Sequence, residues 1–223
     1  MFGKRLINTQ QGGGCTTDTL QILGDTSCVA TYRLNGDATD LSGNYNGTAT
    51  SVTYVAGEFD DAGSFNGSSS YLKATSALDG VAPSSDYSVS AWFKINAYGQ
   101  TYPTVFTGQT GEATLPPYLW ISSSILRLHG YEYNDYTNNL SSGVWYNAVM
   151  INQGTSTNLY INGVLQTPTS RTYWGQNGGQ FFSLGGVDLF AFQAFNGDID
   201  QVRIFNKAIS AEEVTTLYNE VAC

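Results

Sequence analysis

Six Asn-Gly dipeptides punctuate this chain, at 35–36, 46–47, 66–67, 162–163, 177–178 and 196–197. Asn and Gly both tolerate positive φ, so the pair favours the type I′ turn that folds one strand back onto its neighbour. A chain turned so often in this way is steered toward antiparallel hairpins. The clearest is Asn158–Gln166, where Leu159 and Ile161 alternate with other residues up to Asn162-Gly163, and Val164 and Leu165 leave the turn.

Further strands are predicted at Val29–Arg33, Ser70–Lys73, Ser88–Ile95, Thr104–Gly108, Tyr118–Ser122, Ile125–His129, Trp145–Asn152, Gln180–Leu184 and Asp198–Phe205. In Ser88–Ile95, Val89, Ala91, Phe93 and Ile95 fall on one face. One short helix is expected near the C-terminus. Ser210 stands three residues before Glu213 as in a capping box, and Val214, Leu217 and Tyr218 follow at helical spacing. Only 12% of the residues are charged, which suits many short strands joined by tight turns. The expectation is an all-β chain, an antiparallel β-sandwich.

The texture is uniform from Cys28 to Cys223, so one domain is expected over 28–223. Residues 1–27 are read as an N-terminal arm: a polar, glycine-rich stretch over 1–14, then a small apolar cluster of Leu20, Ile22 and Leu23. That cluster is expected to dock on the domain or to anchor the protein to another subunit. The net charge of −9 repels phosphate, which argues against nucleic acid as a partner. No apolar run is long enough to span a bilayer. The opening MFGKRLINTQQGGG lacks a hydrophobic h-region, so no secretory signal and an unprocessed start are expected.

Several landmarks together resemble one family. Tyr32–Gly47 looks like a first strand followed by a D-x-S-G-N turn. Gly57-Glu-Phe59 and Phe65–Leu72 resemble the next two landmarks. Ser88–Phe93 with Trp92, Trp145–Val149, Leu159–Val164, Leu184-Gly185-Gly186 and Phe195–Tyr218 follow in the same order. The run from about Cys28 to Tyr218 is similar to LamG-like domains of the concanavalin A-like lectin/glucanase superfamily. The resemblance implies a two-sheet antiparallel jelly-roll sandwich with one short C-terminal helix, preceded here by an extended N-terminal arm. The arm, CTTDTLQILGDTSC and the domain together also look like open reading frames common among marine bacteriophages.

The resemblance implies several sites. The family often shares a structural Ca²⁺ between an N-terminal turn and the aspartate of the last strand, which here are Asp40 and Asp200; acidic, oxygen-rich turns suit such a cation. The alternative is an Asx turn at Asp40 and a backbone N–H bond at Asp200. A jelly roll sets its first and last elements side by side, which favours a Cys28–Cys223 disulfide. Cys15–Cys28 pairing and a fully reduced state remain open. The superfamily's glucanases carry an E-x-D-x-x-E run. Its nearest approach is Glu58-Phe-Asp60-Asp61-Ala-Gly63, where glycine replaces the last glutamate. Glu132 and Asp135 form a second, looser pair. Neither supplies two carboxyls across a cleft, so no catalysis is expected.

The residues themselves suggest a sugar-binding face. In Ile125–His129, Leu126 and Leu128 take one side. Arg127 and His129 then share the other, with Tyr131 and Tyr133 if the strand continues. Arg and His donate to hydroxyls, and tyrosine rings stack on the apolar faces of pyranoses. Tyr98, Tyr102, Tyr131, Tyr133, Tyr136, Tyr173 and Trp174 fall in predicted loops, with Trp174 the best single candidate for ligand contact. An ordinary half-exposed strand is the competing account.

The expected function is that of a non-catalytic phage virion surface protein, either capsid decoration or a tail or fibre component, located on the virion surface. It would display a lectin-like domain toward cell-surface or environmental polysaccharide. It would sit, oligomeric in the assembly, against other virion proteins through its arm. A glycoside hydrolase-like enzyme and a purely structural cement protein are the alternatives.

Overall fold

A computed structural model describes residues 19–75, 86–99, 101–110, 113–123, 125–173, 181–186 and 193–221. Its elements are β1 (Cys28–Tyr32), β2 (Gly47–Thr50), β3 (Thr53–Ala56), β4 (Asp61–Asn66), β5 (Tyr71–Thr75), β6 (Tyr87–Ile95), β7 (Thr104–Thr110), β8 (Ala113–Ile121), β9 (Ile125–His129), β10 (Glu132–Thr137), β11 (Trp145–Gln153), β12 (Ser156–Ile161), β13 (Val164–Leu165), β14 (Ser170–Tyr173), β15 (Phe181–Leu184), β16 (Asn196–Phe205) and α1 (Ala211–Tyr218). Residues 1–18, Trp174 and Cys223 lie outside the described residues, and with them the glycine-rich stretch, Cys15 and the Asn177-Gly178 turn.

The strands form two antiparallel sheets. The first, sheet A, runs β13-β12-β11-β6-β16-β4-β3, with β1 also paired to β16. The second, sheet B, runs β14-β10-β9-β8-β7-β15-β5-β2. Alternation decides which side of each sheet is buried. Val89, Ala91, Phe93 and Ile95 of β6 face the inter-sheet core, where they meet Phe106, Leu119, Leu126, Leu128 and Phe182 of sheet B. The all-β, two-sheet jelly-roll expectation therefore holds. At the β12–β13 hairpin, Asn162 and Gly163 take φ of 51° and 78°, the pair of positive values that a type I′ turn requires.

A second apolar cluster lies on the far side of sheet A. Val149 and Ile151 of β11 and Phe205 of β16 point outward there, and α1 covers them with Val214 and Leu217. The helix starts as its sequence demands. The Ser210 hydroxyl accepts from Glu213 N at 3.2 Å, and the Glu213 carboxylate accepts from Ser210 N at 2.7 Å.

The Leu20, Ile22 and Leu23 side chains pack against this same cluster. Lys207 holds Asp25 at 2.6 Å, and Asn206 N donates to Ser27 O at 2.9 Å. Of the two expectations for this cluster, docking on the domain is the one observed, with the three side chains partly buried beside α1.

Beneath the helix lies a buried polar knot. Arg203 and Glu220 form an ion pair with side chains 0% and 1% exposed. Trp92 Nε1 donates to Glu220 Oε1 at 2.9 Å, and the Trp92 ring stacks on Tyr218 at 5.8 Å and meets the edge of Phe59 at 5.4 Å. This agrees with Trp92 as an interior residue.

Candidate functional site

The outer face of sheet B carries a compact group of aromatic and charged side chains. Leu119 and Ile121 of β8, Leu126 and Leu128 of β9 and Tyr136 of β10 belong to the inter-sheet core. Period-two alternation therefore places Tyr118, Trp120, Arg127, His129, Tyr133 and Asp135 on the opposite side. Strand register aligns them in two cross-strand rows. Trp120 lies opposite Arg127, and Arg127 opposite Asp135. In the next row, Tyr118 lies opposite His129, and His129 opposite Tyr133. Cross-strand neighbours on one face are close enough for direct contact.

The contacts follow the rows. Arg127 grips Asp135 with two parallel bonds, Nε to Oδ1 at 2.5 Å and Nη2 to Oδ2 at 2.7 Å. Its guanidinium carbon lies 4.7 Å from the Trp120 ring centroid and 4.5 Å from that of Tyr133. Tyr102, just before β7, packs a tilted ring on Trp120 at 5.0 Å. His129 meets Tyr133 edge-on at 5.1 Å. Trp120 is the floor of the group. Tyr102 is 40% exposed, while the Arg127 and Asp135 side chains keep 22% and 17%.

Burial and pairing set the charge states. The Asp135 hydrogen bonds hold the Arg127 guanidinium more firmly protonated than usual. Burial lowers the His129 pKa to about 4, so the imidazole is neutral at physiological pH. Burial also raises the Tyr118 and Tyr133 phenols, which stay protonated. The result is an ordered surface of aromatic rings and one neutralised guanidinium. It suits stacking and hydroxyl hydrogen bonding.

Of the residues expected to bind sugar, the structure brings together Arg127, His129 and Tyr133. Tyr131 departs from that group. The chain reverses at Gly130, whose N–H donates to Glu132 O, so Tyr131 sits at the hairpin tip with its N–H on Asn152 Oδ1 of sheet A at 2.8 Å. The turn can sit this close because Gly130 has no side chain: a Cβ there would lie 2.6 Å from Thr157 Oγ1. Trp174 lies outside the described residues. Tyr133 and Tyr136, expected in a loop, are on β10, and Tyr136 faces the core at 2% exposure. The sequence reading did not place Trp120, Tyr118 and Asp135 in the site. The alternation Tyr118-Leu-Trp-Ile121 on a predicted strand contained the signal for the first two.

Residues 66–215 match the profile of the family described as the concanavalin A-like lectin/glucanases superfamily, Laminin_G_3. The chain belongs to this superfamily. Among solved structures, domain 4 of AbnA, an extracellular GH43 arabinanase of Geobacillus stearothermophilus in complex with arabinotriose, is 26% identical. That match covers 86% of this chain and 98% of that one, with a TM-score of 0.66. The binding domain of Paraclostridial Mosquitocidal Protein 1 is 16% identical, covered at 86% and 52%, with a TM-score of 0.65. Trypanosoma rangeli sialidase in complex with sialic acid is 12% identical, covered at 87% and 33%, with a TM-score of 0.66. The last two likenesses concern the fold alone. No curated protein matches the sequence.

The other expected sites of this lectin/glucanase domain are less assembled. The Asp40 carboxylate is filled by donors: Thr31 N at 2.8 Å and Ser42 N at 3.2 Å on Oδ1, and the Ser42 hydroxyl and Tyr45 N on Oδ2. That is the Asx-type turn of the alternative reading. Asp200 differs. Its Oδ2 accepts from Phe59 N at 2.9 Å, while Oδ1 is buried without a well-formed hydrogen bond. Burial lifts its pKa to about 8, although the nearby backbone amides of Phe59, Gln201 and Glu58 offset part of that rise. One open buried oxygen fits a cation. Yet the described residues contain no group of three or more His, Cys, Asp or Glu able to hold one.

The candidate acids do not form a facing pair. Glu132 is tied to Arg171 at 2.9 Å and to Thr157 N, while Asp135, three residues along the strand and so on the opposite face, is tied to Arg127. Asp60 takes a positive φ of 50° in the turn before β4, where its carboxylate accepts from Asn35. Cys28 is a buried free thiol in contact with Ala30 O and Thr31 Oγ1, and burial raises its pKa; Cys15 and Cys223 lie outside the described residues.

Proposed function

We propose that this chain is a non-catalytic carbohydrate-binding domain that takes its ligand on the outer face of sheet B. The observation that carries this reading is the contact of Arg127 with both Trp120 and Tyr133, flanked by the exposed ring of Tyr102 and by His129. Such a surface offers flat apolar rings for sugar faces and fixed donors for hydroxyls, with side chains already held in place by one another. Preorganisation of this kind lowers the entropic cost of binding. The arabinanase domain solved with arabinotriose makes that trisaccharide the first ligand to test.

The test is titration calorimetry with arabinotriose and linear arabinan on the full chain. Tyr102→Ala and Tyr133→Ala are each expected to weaken binding about tenfold, the usual cost of removing an aromatic anchor. Unchanged affinity in both variants would remove the face from the account. Release of reducing ends from any polysaccharide would contradict the non-catalytic reading.

The setting we propose is the surface of a phage virion, as capsid decoration or as part of a tail or fibre. The support is the glycine-rich arm and its resemblance to phage reading frames. Because Leu20, Ile22 and Leu23 pack on the domain, attachment to other virion proteins falls to residues 1–14. Deleting that stretch should release a folded domain from the particle; particles that retain the truncated protein would refute the attachment.

A further inference from the structure

We infer that the sheet B face selects neutral glycans against anionic ones, and that Asp135 is the residue that sets this selectivity. The inference rests on the carbohydrate-binding reading above and adds the class of sugar the face accepts.

An arginine on a sugar-binding surface would ordinarily recognise a carboxylate or sulfate, because its N–H groups match two oxygens at once. Here that position is taken. Nε and Nη2, the side-on edge of the guanidinium, are bound to Asp135 at 2.5 and 2.7 Å. Arg127 also bonds the Tyr133 side chain and contacts the Trp120 and Tyr133 rings. An incoming uronate or sulfate would reach only the Nη1/Nη2 end of a guanidinium whose charge Asp135 already neutralises, and would stand beside that carboxylate, both negative and partly desolvated.

The other basic group of the cluster gives no help, since buried His129 is neutral at physiological pH; Lys73 of β5 shares the outer face of sheet B but stands three strands away from β8. The rest of the molecule has the same tendency. Lys94, Arg171, Arg203 and Lys207 each face a carboxylate, and the chain carries a net charge of −9. Long-range attraction of a polyanion is therefore missing as well. A neutral sugar meets none of these obstacles, because rings and hydroxyls require no unpaired positive charge.

The experiment is affinity gel electrophoresis of the full chain at low salt. The neutral probes are linear arabinan, xylan and laminarin; the anionic probes are polygalacturonate and dextran sulfate. Wild-type protein is expected to be retarded by at least one neutral probe and to bind the anionic probes about tenfold more weakly or not at all. Asp135→Asn, with Asp135→Ser as a second variant and thermal melts to confirm folding, frees the guanidinium. Each should gain about tenfold in affinity for polygalacturonate, the worth of one charge-assisted hydrogen bond, and lose that gain at high salt. Wild-type binding to polyanions as tight as to neutral probes would overturn the selectivity while leaving the carbohydrate reading intact. Discrimination by the wild type with no gain in either variant would overturn the role of Asp135. Retardation by no probe would remove the carbohydrate reading and this inference with it.

Discussion

Trp92 and Trp120 stand on opposite outer faces of the sandwich in similar company. Trp92 has Tyr218 and Phe59 around its ring and shares Glu220 with Arg203; Trp120 has Tyr102 on its ring and lies beside Arg127, which is held by Asp135. On sheet A the last helix covers the group, and Arg203 and Glu220 keep 0% and 1% of their side-chain surface. On sheet B, Arg127 and Asp135 keep 22% and 17%. One set of residue types thus serves two ends. Closed over by a helix it is a structural tie between the last strand and the C-terminal segment. Without a helix over it, the group keeps Arg127 and Asp135 partly exposed above a Trp120 ring that is itself 6% exposed.

The comparison breaks if the two ion pairs contribute alike. Glu220→Ala strands the Arg203 charge in the interior and should cost about 3–5 kcal/mol in denaturant melts. Asp135→Ala leaves Arg127 in reach of water and should cost about 1 kcal/mol or less. Equal losses would mean that the helix is not what separates the two groups.

Acid titration sharpens the contrast on the sheet B side. His129 has a folded pKa of about 4 against an ordinary value of 6.5. The unfolded chain therefore binds more protons between these values. The contribution of His129 is intact above about pH 6.5, declines as pH falls toward 4, and levels off below. The whole decline is on the order of 3 kcal/mol. Melts of wild type and His129→Asn across this window should diverge by that slope. Parallel curves would show that the imidazole is not held neutral.

A smaller effect than that of Glu220 or His129 concerns the cover itself. Ser210→Ala removes one half of the capping box and should cost about 1 kcal/mol. Hydrogen exchange should rise first in α1 and its contacts with β11 and β16, and the amides of β8, β9 and β10 should stay unchanged. Loosening on both sheets would mean that the two faces are coupled.

Much of the fold was legible in the sequence where side chains obey the alternation rule. Ile125–His129 was bounded correctly, and the inward face of Ser88–Ile95, the Asn162-Gly163 turn and the Ser210 cap follow from local pattern alone. The strand β10 was not legible, because EYNDYT contains no aliphatic residue. Its inward Asn134 is tolerated since its amide donates to Thr157 O of the other sheet at 2.7 Å, a partner that only tertiary structure supplies. Without β10, Asp135 looked like a loose companion of Glu132, whereas its register opposite Arg127 makes it the partner of that guanidinium. Tyr131 erred in the opposite direction: extending the alternation past His129 ignored the reversal at Gly130. For Leu20, Ile22 and Leu23 the sequence left two surfaces open, the domain and another subunit, since apolarity shows that a cluster needs cover but not which surface provides it.

The most direct test of the central claim is backbone-amide NMR shift mapping of the full chain during titration with arabinotriose. The account predicts that the largest shifts fall on Tyr118, Trp120, Arg127, His129, Tyr133 and Asp135, with the amides around Trp92, Arg203 and Glu220 silent. Shifts that cluster under the helix, with the sheet B face unmoved, would contradict it.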